Sequence, residues 1–416
     1  MVKRGILYKL VNVFAVLTIV GFWGMHSILF TFFGGGTTLA SVTYRGIQLV
    51  LSIIIVVWCF NDIKHSLRIG YYFLLLTIMI LYTLRMIFDK YWGPFVSALP
   101  PGVFTNDILY IAVSIFTGAY GMIAGYKYLD VKFISKLVFY LGLLSVTLLL
   151  LSLYQKGNLM AFEDDRLDLG GGLGTLALVK LGAVTFLAGF HMFFNRLGNR
   201  VIILLGMAMS TFLMLASGSR GGLVALVITM MIFVIVHNRK NLFLTISGAI
   251  ILLIIIINLV PILMWLSGYF PVIGERLLLT VVDGDEGNRD ILRDRVYALI
   301  LNNPIFGYSY RMNTDITGYT THNGILDVTL ALGIPMGVIY VIVFYFKLGI
   351  KAISKLQNLE MLLPASMVVF TIVASFSGAS ITDNIYIFSV CLFVSCLYSP
   401  QMDKTLAHKI NLEQSV

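Results

Sequence analysis

The chain has 416 residues, 59% of them hydrophobic and 12% charged, and its 29 basic against 20 acidic residues leave a net charge of +9. With a mean hydropathy of +0.93, this excludes an ordinary soluble domain, which carries about 25% charged residues around one core. The basic excess is read as charge that sets membrane topology, and nucleic-acid binding is excluded.

Apolar stretches approach the roughly 20 residues needed to cross a bilayer at 10–32, 44–60, 69–87, 107–126, 137–154, 172–194, 201–218, 221–237, 242–265, 324–346, 360–379 and 383–399. They predict an all-α polytopic membrane protein of about twelve transmembrane helices, with residues 1–416 as a single integral membrane domain. Lys3, Arg4 and Lys9 precede the first stretch and no small-residue cleavage site follows it, so it reads as an uncleaved span. With both termini in the cytoplasm, most of the lysines and arginines fall inside, among them Lys64, Arg68, Lys132, Arg196, Arg239, Lys347 and Lys355. Cys59, Cys391 and Cys396 all lie in apolar runs and read as small buried hydrophobes, not as a disulfide or metal set.

Acidic residues gather on the outer side. The loop at 155–171 contains Glu163, Asp164, Asp165, Arg166 and Asp168 ahead of Gly170, Gly171 and Gly172. Next comes Ser217-Gly218-Ser219-Arg220-Gly221-Gly222, a tight hairpin between two apolar stretches. An arginine there can simply snorkel to lipid phosphate. The glycines also allow a ligand to approach the backbone, and N–H groups at the start of the following helix favour an anion.

The long outer loop 266–322 is too short for a core of its own and is read as a cap on the bundle. Within it, 288–302 places Ile291, Leu292, Val296, Leu299 and Ile300 on roughly one face, which predicts an amphipathic helix capped by Asn288 and stopped near Pro304. That pattern suits it to the outer membrane surface. Arg276, Arg289, Arg293, Arg295 and Arg311 form a basic set whose planar guanidinium groups match phosphate oxygens, although Asp290 and Asp294 can neutralise part of it. Asp283 and Asp285 have the spacing of a metal-binding pair, but acidic residues before a helix are equally explained by its dipole. No metal site is assigned. At the end of the loop stands Tyr319-Thr320-Thr321-His322-Asn323-Gly324. His322 at a helix start is either a structural cap or a base able to take a proton from a hydroxyl. Lys180 and Asp327 are secondary candidates as charges within apolar stretches. No nucleotide-binding signature occurs.

Ser219-Arg220-Gly221 in a tight outer hairpin, then Arg289 followed by Asn303-Pro304-Ile305-Phe306-Gly307-Tyr308, then Thr321-His322-Asn323 with Gly333-Ile334-Pro335, resembles the bacterial O-antigen ligase/polymerase family. The motifs cover roughly 160–345. The resemblance implies a lipid-dependent, GT-C-like membrane glycosyltransferase fold in the bacterial inner membrane. It implies glycan transfer at the outer face from an undecaprenyl diphosphate-linked donor, without metal, nucleotide or other cofactor. Residue by residue, it makes Arg220 and Arg289 the essential arginines and His322 the essential histidine. Ser219, Asn323 and Arg166 become substrate-binding candidates, Arg166 on the looser match Asp165-Arg166-Leu167, while Arg293 and Arg311 are substrate-binding candidates by their location in the outer loop alone. The implied partners are the lipid-linked glycan, a glycan or lipid A core acceptor, membrane lipid and a chain-length regulator. A surface-polysaccharide polymerase is favoured over a ligase that loads the lipid A core. A lipid-linked oligosaccharide flippase is the alternative of another class, disfavoured by the absence of repeat symmetry and by charges gathered at one face.

Overall fold

The computed structural model describes residues 2–33, 37–61, 69–93, 103–155, 175–217, 219–237, 289–310, 323–376 and 384–399, with a few isolated positions between 258 and 268. Among the described residues all regular secondary structure is helical, with no strand. Helix α1 (Val2–Val16) continues through a π-helical stretch (Leu17–Gly21) into α2 (Phe22–Phe33). Next come α3 (Thr37–Trp58) and α4 (Gly70–Trp92). A second π-helical stretch (Leu109–Phe116) joins α5 (Val103–Ile108) to α6 (Thr117–Ala124). The sequence then forms α7 (Val131–Gln155), α8 (Thr175–Phe194), α9 (Arg200–Ala216), α10 (Arg220–His237) and α11 (Arg289–Asn302). Last are α12 (Gly324–Leu332), α13 (Ile334–Tyr340), a π-helical stretch (Val341–Leu348), α14 (Gly349–Lys355), α15 (Leu362–Ala374) and α16 (Asn384–Leu397).

Six helical segments among the described residues are long and apolar enough to cross a bilayer: Gly5–Leu29, Gly70–Trp92, Thr105–Ala124, Val131–Ser152, Leu176–Phe194 and Ile334–Lys355. Shorter apolar helices are Val42–Trp58, Arg200–Ala216, Gly221–His237, Leu362–Ala374 and Ile385–Leu397. The described residues are therefore those of a helical, polytopic membrane protein. The stretch at 242–265 and the loop at 155–171 fall on residues outside those described.

Burial patterns follow from hydrophobicity around each helix. Residues 362–371 of α15 and 385–396 of α16 are buried on every side, as expected for helices apolar all round at the centre of a bundle. Peripheral α9 buries Ile203, Gly206 and Ser210 and exposes Val201, Leu204 and Leu205, a lipid-facing arrangement. Glycine permits close helix approach here: a Cβ at Gly189 or Gly206 would lie 2.9 or 2.6 Å from the Phe139 ring, so one ring of α7 fills the space that α8 and α9 both leave. Cys59, Cys391 and Cys396 are buried free thiols.

One expected element is overturned. The stretch 324–346 is not one continuous span. The chain turns at Gly333, where φ is +87°, and α12 folds back beside the helix that follows. In a straight helix Gly324 and Tyr345 would lie about 31 Å apart. Instead the Gly324 N–H donates to the Ser375 carbonyl at 3.3 Å, and the Tyr345 hydroxyl is 2.5 Å from Ser375 Oγ. The membrane-crossing segment is Ile334–Lys355, and α12 is a separate half-helix packed along it.

Candidate functional site

The Gly333 turn is built from two sequence motifs that meet. The Ile334 N–H donates to the Pro304 carbonyl at 2.7 Å, while the N–H groups of Tyr308 and Ser309 donate to the Leu330 carbonyl at 2.7 and 3.2 Å. Gly307, with φ +73°, lies against Ala331, and Gly333 lies against the Ile305 carbonyl. Both glycines combine a left-handed backbone with contacts that leave no room for a Cβ. Backbone groups freed by the helix break are thus satisfied by the 303–310 segment, the condition for irregular backbone within a membrane protein.

A second anchor fixes the same segment to α4. Asp89, 1% exposed, accepts from Arg85 Nε, Ser309 Oγ and the Tyr310 N–H, each at 2.9 Å. Arg85 also donates to the carbonyls of Phe306, Gly307 and Tyr308. The Tyr310 hydroxyl donates to Asp107 at 2.8 Å. Ile305, Phe306, Tyr91 and Trp92 are exposed nearby, and such apolar and aromatic side chains mark a membrane–water interface.

From that turn, α12 leads back into the bundle. Its nine residues span about 13 Å, so Asn323 lies well below the Gly333 turn. Asn323 is the N-cap: its Oδ1 accepts from the N–H groups of Ile325 and Leu326 at 2.9 and 3.2 Å. One turn on, Asp327 is 3% exposed. It interacts electrostatically with Tyr340 and Tyr345, and the Tyr340 ring lies 6.2 Å from that of Tyr386. With Ser375 these side chains form a buried polar floor beside the start of α12.

Helix α11 shares this direction. Its C-terminal end meets the Gly333 turn through Pro304, and its Val296 and Ile300 are buried with Leu330 and against Leu326. The apolar face expected to lie on the membrane surface is therefore used on α12. The two helices run side by side toward Gly333, which sets the Arg289 end of α11 toward the Asn323 end of α12. On the other side, α10 packs against α15, and the Gln357 side chain donates to the Val236 carbonyl at 3.0 Å near the foot of both. Arg220, the first residue of α10, is thereby at the same end of the bundle as Ser375. Close packing holds that end in place, since a Cβ at Gly222 would overlap the Val179 side chain. Three helix N-termini, each carrying partial positive charge, begin at this end of the molecule.

Of the residues singled out in the sequence, Asn323 has a defined side-chain role as a cap. Ser219 is partly exposed, with its N–H 3.4 Å from Ser217 Oγ. The backbones of Arg220 and Arg289 start α10 and α11, and Arg293 is partly buried on α11. Their neighbours His322, Arg166, Arg276 and Arg311 lie outside the described residues, as do Asp283 and Asp285. Among the described residues no three His, Cys, Asp or Glu side chains come together as a metal set. Lys180 lies within α8 and is partly buried. The Arg85–Asp89 pair was not singled out by sequence. Its signal was present, two opposite charges at i and i+4 inside an apolar helix.

Residues 205–341 match the family model described as O-Antigen ligase. The match runs from α9 through α13 and so includes Arg220, Arg289, the 303–310 segment, Asn323 and the Gly333 turn. No curated protein and no solved structure matches the chain.

Proposed function

We propose that this protein, a membrane protein of the O-antigen ligase/polymerase family, is a glycosyltransferase that uses an undecaprenyl diphosphate-linked glycan as donor. Transfer is to a sugar hydroxyl at the outer face of the bacterial inner membrane, with both termini cytoplasmic, and needs neither metal nor nucleotide. The observation that carries the reading is the shared direction of α11 and α12, which sets Arg289 and Asn323 toward one end, beside the buried polar floor of Asp327, Tyr345 and Ser375.

The leaving group is a lipid diphosphate, already anionic, so it calls for charge stabilisation more than for a general acid. Arg220 and Arg289 supply it, aided by the positive ends of α10 and α11. Ser219, Arg166, Arg293 and Arg311 contribute contacts to diphosphate or glycan. The acceptor hydroxyl needs a base as the new bond forms, and His322 takes its proton. A site about 13 Å below the Gly333 turn lets a lipid tail remain between helices while the glycan extends outward.

Polymerisation of lipid-linked repeat units is the preferred reaction, with ligation to a lipid A core as the alternative. Deletion in the native host separates them: loss of a polymerase leaves single repeat units on the acceptor, whereas loss of a ligase leaves bare acceptor with long chains still on undecaprenyl diphosphate. The break at Gly333 favours one further reading, a flippase, because transporters use broken helices around midplane sites. Purified protein that moves donor between leaflets of a vesicle but forms no new glycosidic bond would replace the transferase reading with that one.

A further inference from the structure

Asp327 is the carboxylate of the buried floor. It is the fourth residue of α12 and 3% exposed, and a charge taken this far out of water inside a membrane protein is costly unless it serves a purpose. From the following span it meets Tyr340 and Tyr345, with Tyr386 of α16 beyond the Tyr340 ring. Three further elements bring polar groups toward α12. Helix α11 brings Arg293, on the same stripe as Val296 and Ile300. Helix α4 brings the Arg85–Asp89 pair, which is bound to the 303–310 segment beside the other end of α12. Helix α15 brings Ser375, whose carbonyl takes the Gly324 N–H and whose hydroxyl meets Tyr345, so the first turn of α12 is fixed in place.

Two features of that turn relate Asp327 to the residue ahead of the cap. Helical side chains tilt toward the helix N-terminus, so Asp327 leans back toward Asn323. Asn323 is an N-cap that accepts from the N–H groups of Ile325 and Leu326, and at a start of this kind the residue before the cap often packs against the fourth helical residue. The residue before the cap is His322, which lies outside the described residues, and the fourth is Asp327. The usual pair is apolar; this one is an imidazole and a carboxylate. We propose that Asp327 is a positioning residue for His322, its carboxylate accepting the N–H of one ring nitrogen so that the other is presented unprotonated to the acceptor. The inference rests on the reading of His322 as the base. The acceptor oxygen bonds to the anomeric carbon, the bond from that carbon to the diphosphate breaks, and its electron pair leaves on the phosphate oxygen. The hydroxyl proton passes to the free ring nitrogen, and Asp327 stabilises the imidazolium so formed.

The test is the pH–rate profile of transfer by the full-length protein, with an undecaprenyl diphosphate-linked glycan as donor, for wild type, Asp327→Asn and His322→Ala. Asn keeps the size of the side chain and removes its charge. Asp327→Asn should lower the plateau kcat at least about tenfold with little change in donor KM. It should also move the ascending limb to lower pH by about one unit, because the imidazolium loses its counter-charge. An unmoved limb in folded Asp327→Asn, where His322→Ala has lost the limb, overturns the positioning role and leaves the base reading standing. A limb that persists in His322→Ala overturns the base reading, and the proposal with it. If Asp327→Asn does not fold, or if no transfer is seen, nitrogen-15 histidine spectra of the wild-type protein decide, with the His322 signal identified by its loss in His322→Ala. A single neutral tautomer supports the pairing, and a mixture of the two tautomers overturns it.

Discussion

The backbone of Gly333 rests directly on the carbonyl group of Ile305, so closely that a Cβ on Gly333 would overlap it. Because φ at Gly333 is also +87°, Gly333→Ala should cost at least about 2 kcal/mol through strain and displacement. Gly307→Ala should behave similarly against Ala331. Thermal unfolding in detergent measures the loss, and near-native stability of either variant would contradict the geometry of this turn.

The Arg85–Asp89 pair is expected to hold the 303–310 segment in place. Removing one partner leaves the other charge buried and unpaired, costing about 3–5 kcal/mol. Asp89→Ala and Arg85→Ala should each destabilise strongly, while the double variant loses much less than the sum. Strict additivity in this cycle would show that the pair is not coupled.

Arg220→Ala and Arg289→Ala should each reduce glycan transfer at least about a hundredfold, roughly 2.7 kcal/mol of transition-state stabilisation, with the protein still folded in the membrane. Lysine at either position should recover only part of the rate, since a point charge lacks the bidentate fork. Near-normal turnover by Arg220→Ala would leave that residue as a lipid-snorkelling anchor.

His322 and Asn323 should separate by phenotype. Asn323 holds the cap of α12, so Asn323→Ala should destabilise by about 1 kcal/mol. His322→Ala should leave stability unchanged and lose transfer while retaining donor binding. If His322 is the base, wild-type activity should show an ascending limb with pH that belongs to this residue, because only the neutral imidazole accepts the proton. An active His322→Asn protein with the same pH profile would remove the base assignment.

Transfer should also persist in the presence of a chelator. Activity that is abolished by chelation and restored by a divalent metal would redirect attention to Asp283 and Asp285.

Sequence by itself determined what depends on composition and local spacing. Long uncharged runs must satisfy their backbone within helices and either bury their side chains or expose them to lipid, so the all-helical membrane class followed from hydropathy. The starts of α10 at Arg220, of α11 at Arg289 and of α12 after Asn323 were legible because each stands at a change from polar loop to helical pattern. The fold-back at Gly333 was not legible, because 324–346 reads as one apolar run and hydropathy is insensitive to direction. Its cause is a set of long-range contacts: the Pro304 carbonyl takes the Ile334 N–H, and Ser375 receives both Gly324 and Tyr345. Only the tertiary structure could therefore decide that the Asn323 end of α12 lies deep in the bundle. The same holds for Arg85 and Asp89, an i, i+4 charge pair whose distant partners the sequence does not show and which becomes an anchor once the 303–310 segment supplies the remaining hydrogen-bond partners.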